Sequence, residues 1–167
     1  MNKITINYAL TWCGCQIEAA NGVEVSVCRA NQWATSTDDP GKSSNAFIRA
    51  RGPITDKEKG ETCSVKWIFA WPASDTERFA QAIDAVLAPD ENDRSTGISS
   101  NKTVYKKWVD VSKWLRVGIW DHFFADREND RYAILQFRLN DQKITAKFPE
   151  VEKLREIHEQ LLKFEAD

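Results

Sequence analysis

Histidine is scarce in this chain, which narrows the catalytic chemistry that the sequence can support. Only His122 and His158 occur among its 167 residues, although histidine is a frequent general base near neutral pH. There is no H-E-x-x-H zinc motif and no recognisable nucleophile elbow. Catalytic groups can assemble from distant parts of a chain. Even so, the sequence favours a protein that is not an enzyme and needs no cofactor.

Long hydrophobic runs and zinc-type cysteine spacings are also missing. The N-terminal residues MNKITINYALTW alternate like a β-strand and contain no apolar block typical of a signal peptide. No segment is long and apolar enough for a transmembrane helix. We therefore expect a cytoplasmic protein that does not contact a membrane. Its four cysteines are then expected to be reduced thiols without a metal. They are Cys13, Cys15, Cys28 and Cys63.

An excess of charge of one sign is absent too. The 23 basic and 25 acidic residues leave a net charge of −2, so any contact with nucleic acid would have to use a local basic patch. Tryptophan, in contrast, is abundant, with seven residues. It combines a large apolar area with one N–H donor and is favoured both in cores and at binding hot spots.

Alternation of apolar and polar residues predicts that most of the chain forms β-strands. Two segments have the period of an amphipathic helix instead, residues 74–88 after Pro72 and residues 149–164. A capping box, Ser74 to Glu77, is expected to begin the first helix. The segments with the period of a strand are residues 4–19, 23–27, 45–51, 63–71, 103–109, 113–120, 131–139 and 143–148.

The order of these elements predicts an α+β fold, with an antiparallel sheet of seven or eight strands and two amphipathic helices. Each helix follows a strand, an aromatic residue and a proline, which suggests a ββββα pseudo-repeat. Its halves would be residues 1–88 and 103–167, joined by a connector at 89–102 within one compact domain. Such junctions are common, so the alternative is that the likeness is accidental. An unpaired sheet edge could also form a homodimer.

The residues around Asn21-Gly22 predict a hairpin with a defined register. A three-residue turn pairs Ile17 with Val25, which places the apolar residues of both strands on one face. The apolar positions change from even to odd numbers near Gly14. Such a change requires one inserted residue, so we expect a β-bulge at Cys13-Gly14.

Two polar segments, residues 31–44 and 52–61, predict loops. In these regions, residues 35–44 and 55–62 are candidates for contact with a partner. The first contains Ser36 to Ser43, one residue away from a phosphate-binding P-loop pattern. We interpret it as a polar turn, because a P-loop needs a strand before it and a helix after it.

Asp121 and His122, followed by Asp126, Glu128 and Asp130, bring one histidine close to several carboxylates. This group could bind a divalent metal or act as general acid and base. With no second histidine nearby, a solvated loop is the simpler interpretation. A small metal-dependent enzyme centred on Asp121 and His122 is kept as one alternative.

The segment TVYKKWVDVSKWLRVGIWDHFF, residues 103–124, contains three tryptophans and four basic residues but only two acids. As a helix it would be apolar on two sides, with Gly118 in its interior at a cost of about 1 kcal/mol. As a strand it places Leu115, Val117 and Ile119 on one face. We favour the strand, with Gly118 at a close approach or a bulge.

The strand interpretation predicts one aromatic and basic surface, made of Lys106, Trp108, Trp114, Arg116 and Trp120. Because Trp and Arg lead the composition of hot spots, this surface predicts docking of another protein. The chain would then be an inhibitor, an immunity-type protein or an accessory protein. Single-stranded nucleic acid on the same face is the alternative. A third interpretation is that a helix covers this face, which then belongs to the core.

Overall fold

The computed structural model describes residues 4–6, 10–36, 43–56, 58–88, 95–99, 102–124 and 130–166. Five strands and a helix are followed by five more strands and a second helix. All strand pairs are antiparallel, and they form two separate sheets. The α+β class, the antiparallel pairing and the two amphipathic helices are therefore confirmed.

The first five strands form sheet A. The short first strand and the second strand both pair with the same edge of the third, so they share one position in the sheet. The fourth strand lies on the other side of the third, and the fifth strand ends the sheet. The strands are β1 (Ile4–Ile6), β2 (Leu10–Glu18), β3 (Glu24–Ser36), β4 (Ser43–Thr55) and β5 (Thr62–Trp71).

The last five strands form sheet B, in which each strand pairs with the next one along the chain. The fifth of these strands therefore lies at one edge of the sheet, and the first lies at the other edge. The strands are β6 (Ser95–Ser99), β7 (Lys102–Asp110), β8 (Leu115–Phe124), β9 (Asp130–Leu139) and β10 (Gln142–Phe148).

Each helix packs on the sheet that it does not follow. Helix α1 (Ala73–Leu87) comes directly after sheet A but contacts β7 and β8 of sheet B. Helix α2 (Glu152–Ala166) comes after sheet B and contacts β2, β3 and β4 of sheet A, as well as α1. No helix in the described part of the chain is long and apolar enough to cross a membrane.

Crossed packing produces one shared cluster of buried side chains. Sheet A contributes Val25, Val27, Ile48 and Ala50, and both helices contribute their apolar stripes. In the helices these are the residues predicted from the helical period, including Phe79, Ile83, Val86, Leu154, Ile157, Leu161 and Phe164. Sheet B contributes Leu115, Val117, Ile119, Ala133, Leu135, Phe137, Ile144, Ala146 and Phe148.

The hairpin between β2 and β3 has the predicted register. Ile17 lies opposite Val25, and Gly22 adopts a left-handed conformation with φ of 79°, as the three-residue turn requires. The register shifts between Cys13 and Cys15, which confirms the bulge at Gly14. Asn140 also adopts a left-handed conformation, with φ of 54°, in the turn between β9 and β10.

The predicted capping box is wrong. Helix α1 begins at Ala73 and is capped by Pro72, with no side-chain hydrogen bond at the cap. The Thr76 hydroxyl instead accepts a hydrogen bond from the indole N–H of Trp71, at 2.7 Å. Asp75 is buried in the first turn, and this burial raises the pKa of its carboxyl group while Arg78 acts to lower it.

Strands are longer and more numerous than the sequence indicated. The segment 31–44 was expected to be a loop, but β3 continues to Ser36 and β4 begins at Ser43; residues 37–42 lie outside the described residues. The expected connector 89–102 contains β6, which pairs with β7. The sequence did not indicate these strands because the stretches are rich in polar residues and show no alternation. A backbone ladder can form without apolar side chains.

Candidate partner-binding face

The tryptophan-rich segment forms a strand, as favoured above, and its residues alternate between two faces of sheet B. The face with Leu115, Val117 and Ile119 is buried beneath α1. We call the opposite one the outer face. Its described side chains are Lys106, Trp108, Asp110, Arg116, Trp120, His122, Asp130, Tyr132, Ile134, Gln136, Arg138, Lys143, Thr145 and Lys147, with Gly118 among them.

One tryptophan of the outer face is covered by an arginine. The guanidinium carbon of Arg116 lies 3.7 Å from the centre of the Trp108 ring, a close cation–π contact. Beneath this ring lies Gly118, which is opposite Trp108 in the β7–β8 ladder. A Cβ atom on Gly118 would lie 2.6 Å from Cε3 of Trp108. The predicted close approach at Gly118 is therefore confirmed.

The second tryptophan, Trp120, is contacted by two lysines from different strands. The Lys106 ammonium, on β7, lies 4.3 Å from the ring centre, and the Lys147 ammonium, on β10, lies 4.7 Å from it. Trp108 meets Trp120 edge-on, with ring centres 5.9 Å apart. The two indoles and their three cations thus form one continuous cluster, which we call the cation–indole cluster.

Two more rings extend the cation–indole cluster along the sheet. The His122 ring stacks on Trp120 with centres 6.5 Å apart, and Tyr132 meets His122 edge-on at 5.4 Å. His122, Tyr132 and Trp120 are each half-buried. The outer face therefore presents a band of aromatic side chains that are partly accessible to a partner.

Hydrogen bonds between side chains hold the two arginines of this face in place. Nε of Arg116 donates to the Gln136 side chain at 2.7 Å, and Gln136 in turn donates to the Thr145 hydroxyl at 3.0 Å. Arg138 donates to Asp110 at 2.8 Å. Burial, reinforced by Arg138, lowers the pKa of Arg116 against the opposing effect of Asp110, yet a guanidinium keeps its charge at neutral pH.

The outer face has a charge of opposite sign to that of the chain as a whole. Its described side chains include two acids, Asp110 and Asp130, and one of these is bound to Arg138. The cations are more numerous: Lys106, Arg116, Arg138, Lys143 and Lys147. Although the chain carries a net charge of −2, this surface is locally basic.

Trp114 does not belong to this face, which corrects the prediction that it shares a surface with Arg116 and Trp120. Its ring stacks on Phe69 of sheet A at 4.4 Å and on Phe137 of sheet B at 6.2 Å. The cause is local: β8 begins at Leu115, and residues 111–114 form a bend in which the alternation of a strand does not hold. Trp114 packs against the core instead.

Asp121 and His122, the proposed centre of a metal-dependent enzyme, are not brought together. They are consecutive in β8, so their side chains point to opposite faces. The Asp121 carboxylate is buried and lies 2.6 Å from Nε of Arg131, while His122 packs on the outer face. Asp126 and Glu128 lie outside the described residues. Within the described ranges, no three His, Cys, Asp or Glu residues are grouped as metal ligands.

The alternation within residues 103–124 did not predict that residues of β9 and β10 belong to the outer face. Tyr132, Gln136 and Arg138 share a strand face by simple alternation, as do Thr145 and Lys147. The missing information was the order of strands in the sheet, which places this face beside Trp120.

Comparisons with protein-family models, with curated proteins and with solved structures find no match to this chain.

Proposed function

We propose that this protein is a non-catalytic binding module that docks another protein through the outer face of sheet B. It would act as an inhibitor, an immunity-type protein or an accessory protein. The supporting observation is the cation–indole cluster, in which Trp108 and Trp120 are held against Arg116, Lys106 and Lys147. Tryptophan and arginine dominate binding hot spots, and holding them in place before binding reduces the entropy cost of association.

The placement of the cations favours a protein partner over a nucleic acid. Base stacking needs an accessible flat ring, whereas the Trp108 ring is covered by Arg116 at 3.7 Å. A partner protein can use the same arrangement without displacing the cation, because a carboxylate can bond to the guanidinium from the side. Arginine and carboxylate match each other in a planar, two-bond geometry.

The charge of the face indicates the chemistry of the partner surface. Five cations outnumber two acids among the described side chains, so the partner should present Asp or Glu around an apolar centre. Charge complementarity of this kind speeds association and excludes partners with basic surfaces. An acidic protein surface is therefore the partner that we propose.

Charge reversal on the face tests this proposal. Tagged protein would be used to capture partners from nuclease-treated lysate of the source cells, with captured proteins identified by mass spectrometry. We expect the variant Lys106→Glu, Lys147→Glu to lose a stoichiometric acidic partner, since it places two acids beside Trp120. The control variant Lys59→Glu, Lys163→Glu has the same change in charge at exposed positions elsewhere, and it should retain the partner. Equal capture by both variants would rule out this face as the docking site.

Binding of single-stranded nucleic acid is the second candidate, and the excess of cations on the outer face is the observation in its favour. Its signature is a steep linear fall of log affinity with log salt, by about 0.7 per phosphate contact for a single strand. Titration of a labelled oligonucleotide at several salt concentrations would measure this slope. If nucleic acid is the ligand, Arg116→Ala should make the slope shallower, and partners captured from untreated lysate should be lost when the lysate is treated with nuclease.

A further inference from the structure

Strand β5 is an edge with an open backbone. It ends sheet A and pairs with β4 along its whole length, from Thr62 to Trp71. In an antiparallel pair, every second residue of an edge strand directs its N–H and C=O away from its neighbour. No strand among the described residues pairs with that outward side of β5. Within the described part of the chain, residues 62–70 therefore offer about one backbone hydrogen-bonding group per residue to a further strand.

The edge of sheet B formed by β10 is protected, in contrast. The backbone N–H of Ala20 donates to the carbonyl of Lys147 at 2.8 Å. The amide of Asn21 donates to the carbonyl of Thr145 at 2.6 Å and accepts from the N–H of Lys147 at 3.2 Å. The turn between β2 and β3 thus occupies the outward groups of β10, and no described residues do the same for β5.

The side chains of β5 leave apolar area exposed to solvent. Val65, Trp67, Ile68 and Phe69 form a nearly continuous apolar run, and each is half-buried rather than buried. Soluble proteins usually protect an exposed edge with proline, bulges or several charges. Between Thr62 and Trp71 the register with β4 is unbroken, and Lys66 is the only charged residue. Addition of a strand would bury this apolar run.

We propose that the occupant is β5 of a second copy of this chain, paired antiparallel about a two-fold axis at Ile68. A two-fold axis perpendicular to the sheet makes one residue face itself and keeps the buried faces of both sheets on the same side. With the axis at Ile68, Trp67 lies opposite Phe69 of the other copy, which is a favourable aromatic pair. Lys66 lies opposite Ala70, so the two lysines do not meet.

The extent of this pairing suits a specific dimer. Residues 65–71 of one copy would lie opposite residues 71–65 of the other, and Pro72, which has no N–H, marks the end of the ladder. Seven residue pairs allow roughly seven backbone hydrogen bonds, within the range of about 10 ± 5 found in typical interfaces. The outer face of sheet B takes no part, so this dimer is independent of the docking function proposed above.

Measurement of oligomeric state by sedimentation equilibrium tests the pairing. The wild-type protein should be a dimer, and Ile68→Lys, which places two lysines face to face on the axis, should raise the dimer dissociation constant at least tenfold. Leu162→Lys is the matched control, because Leu162 is 46% exposed on α2 and receives the same substitution far from β5. A wild-type monomer at the highest soluble concentration would overturn the proposal. Dissociation caused equally by both variants, or by neither, would overturn it as well.

Cysteine cross-linking tests the register and does not depend on the stability of Ile68→Lys. In a Cys63→Ser background, Ile68→Cys should form a covalent dimer under mild oxidation, because the two side chains face each other on the axis. Leu162→Cys in the same background is the control and should remain monomeric on a non-reducing gel. Equal cross-linking of the two, or none at Ile68→Cys, would show that β5 does not pair about this residue.

Discussion

At the scale of single residues, Gly118 determines where Trp108 can lie. A Cβ atom at this position would be 2.6 Å from Cε3 and 2.8 Å from Cζ3 of the indole, and 3.1 Å from the carbonyl oxygen of Lys107. The ring therefore lies on the backbone of β8, with Arg116 stacked on it at 3.7 Å. Because Gly118 has no side chain, the Trp108 ring can pack directly against the backbone of β8.

Substitution of Gly118 by Ala should show this dependence in a double-mutant cycle. In the wild-type background we expect a loss of about 1–3 kcal/mol in the free energy of unfolding, because the methyl group overpacks against the ring. In a Trp108→Ala background the same substitution should cost less stability, because only the 3.1 Å contact with the Lys107 carbonyl remains and Ala loses less backbone entropy than Gly on folding. Urea denaturation of the four proteins measures both effects. The same cost in both backgrounds would show that Trp108 is not the reason for the glycine.

At the scale of elements, the turn between β2 and β3 has two roles. Its sequence, Ala20-Asn21-Gly22, closes the hairpin in the register predicted from burial, with Gly22 left-handed. Its Asn21 side chain also bonds to Thr145 and Lys147 of β10. The first role is local and readable in the sequence. The second joins sheet A to the edge of sheet B, 124 residues further along the chain.

Substitutions at Asn21 should separate these two roles. Asn21→Ala removes two hydrogen bonds to β10, and each contributes roughly 0.5–1.5 kcal/mol to stability. Asn21→Asp keeps the acceptor for the Lys147 N–H but loses the donor to Thr145, so its cost should be intermediate. Hydrogen exchange of the Lys147 amide should be faster in Asn21→Ala than in the wild-type protein. In Asn21→Asp it should be slower than in Asn21→Ala. Unchanged exchange in Asn21→Ala would mean that the side chain does not protect the edge.

At the scale of the whole molecule, the two halves of the chain are interlocked. Helix α1 packs on sheet B and helix α2 packs on sheet A, so each half covers the apolar face of the other. Trp114 strengthens this connection, because its ring contacts Phe69 of sheet A and Phe137 of sheet B. Its edge contact with Trp71, at 5.7 Å, continues the aromatic packing towards α1.

Trp114 and Trp120 should therefore behave differently when replaced by Ala. Trp114→Ala removes an aromatic contact between the sheets and should lower the free energy of unfolding by about 3 kcal/mol, with one cooperative transition by fluorescence and by circular dichroism. Trp120→Ala should cost less stability but abolish capture of the acidic partner. Loss of partner capture by Trp114→Ala at full stability would contradict this assignment.

Part of the candidate site could be predicted because the alternation of a strand is a local property. Lys106, Trp108, Arg116 and Trp120 share a face for this reason, and the register of β7 and β8 places them side by side. Trp114 was misplaced because alternation was extended one residue beyond the start of β8. Contributions from β9 and β10, such as Lys147, depend on strand order, and a single segment carries no information about it.

Local patterns in the sequence were enough to predict the antiparallel strands, the two amphipathic helices and the hairpin at Gly22. Each depends on side-chain period or on turn chemistry within a few residues. Contacts between distant segments produced the rest: the crossing of the helices, the strand β6, the protected edge at β10 and the open edge at β5. These features depend on which apolar faces cover each other. Many pairings of such faces satisfy the same local pattern, and only the arrangement that buries both sheets and both helices in one core selects among them.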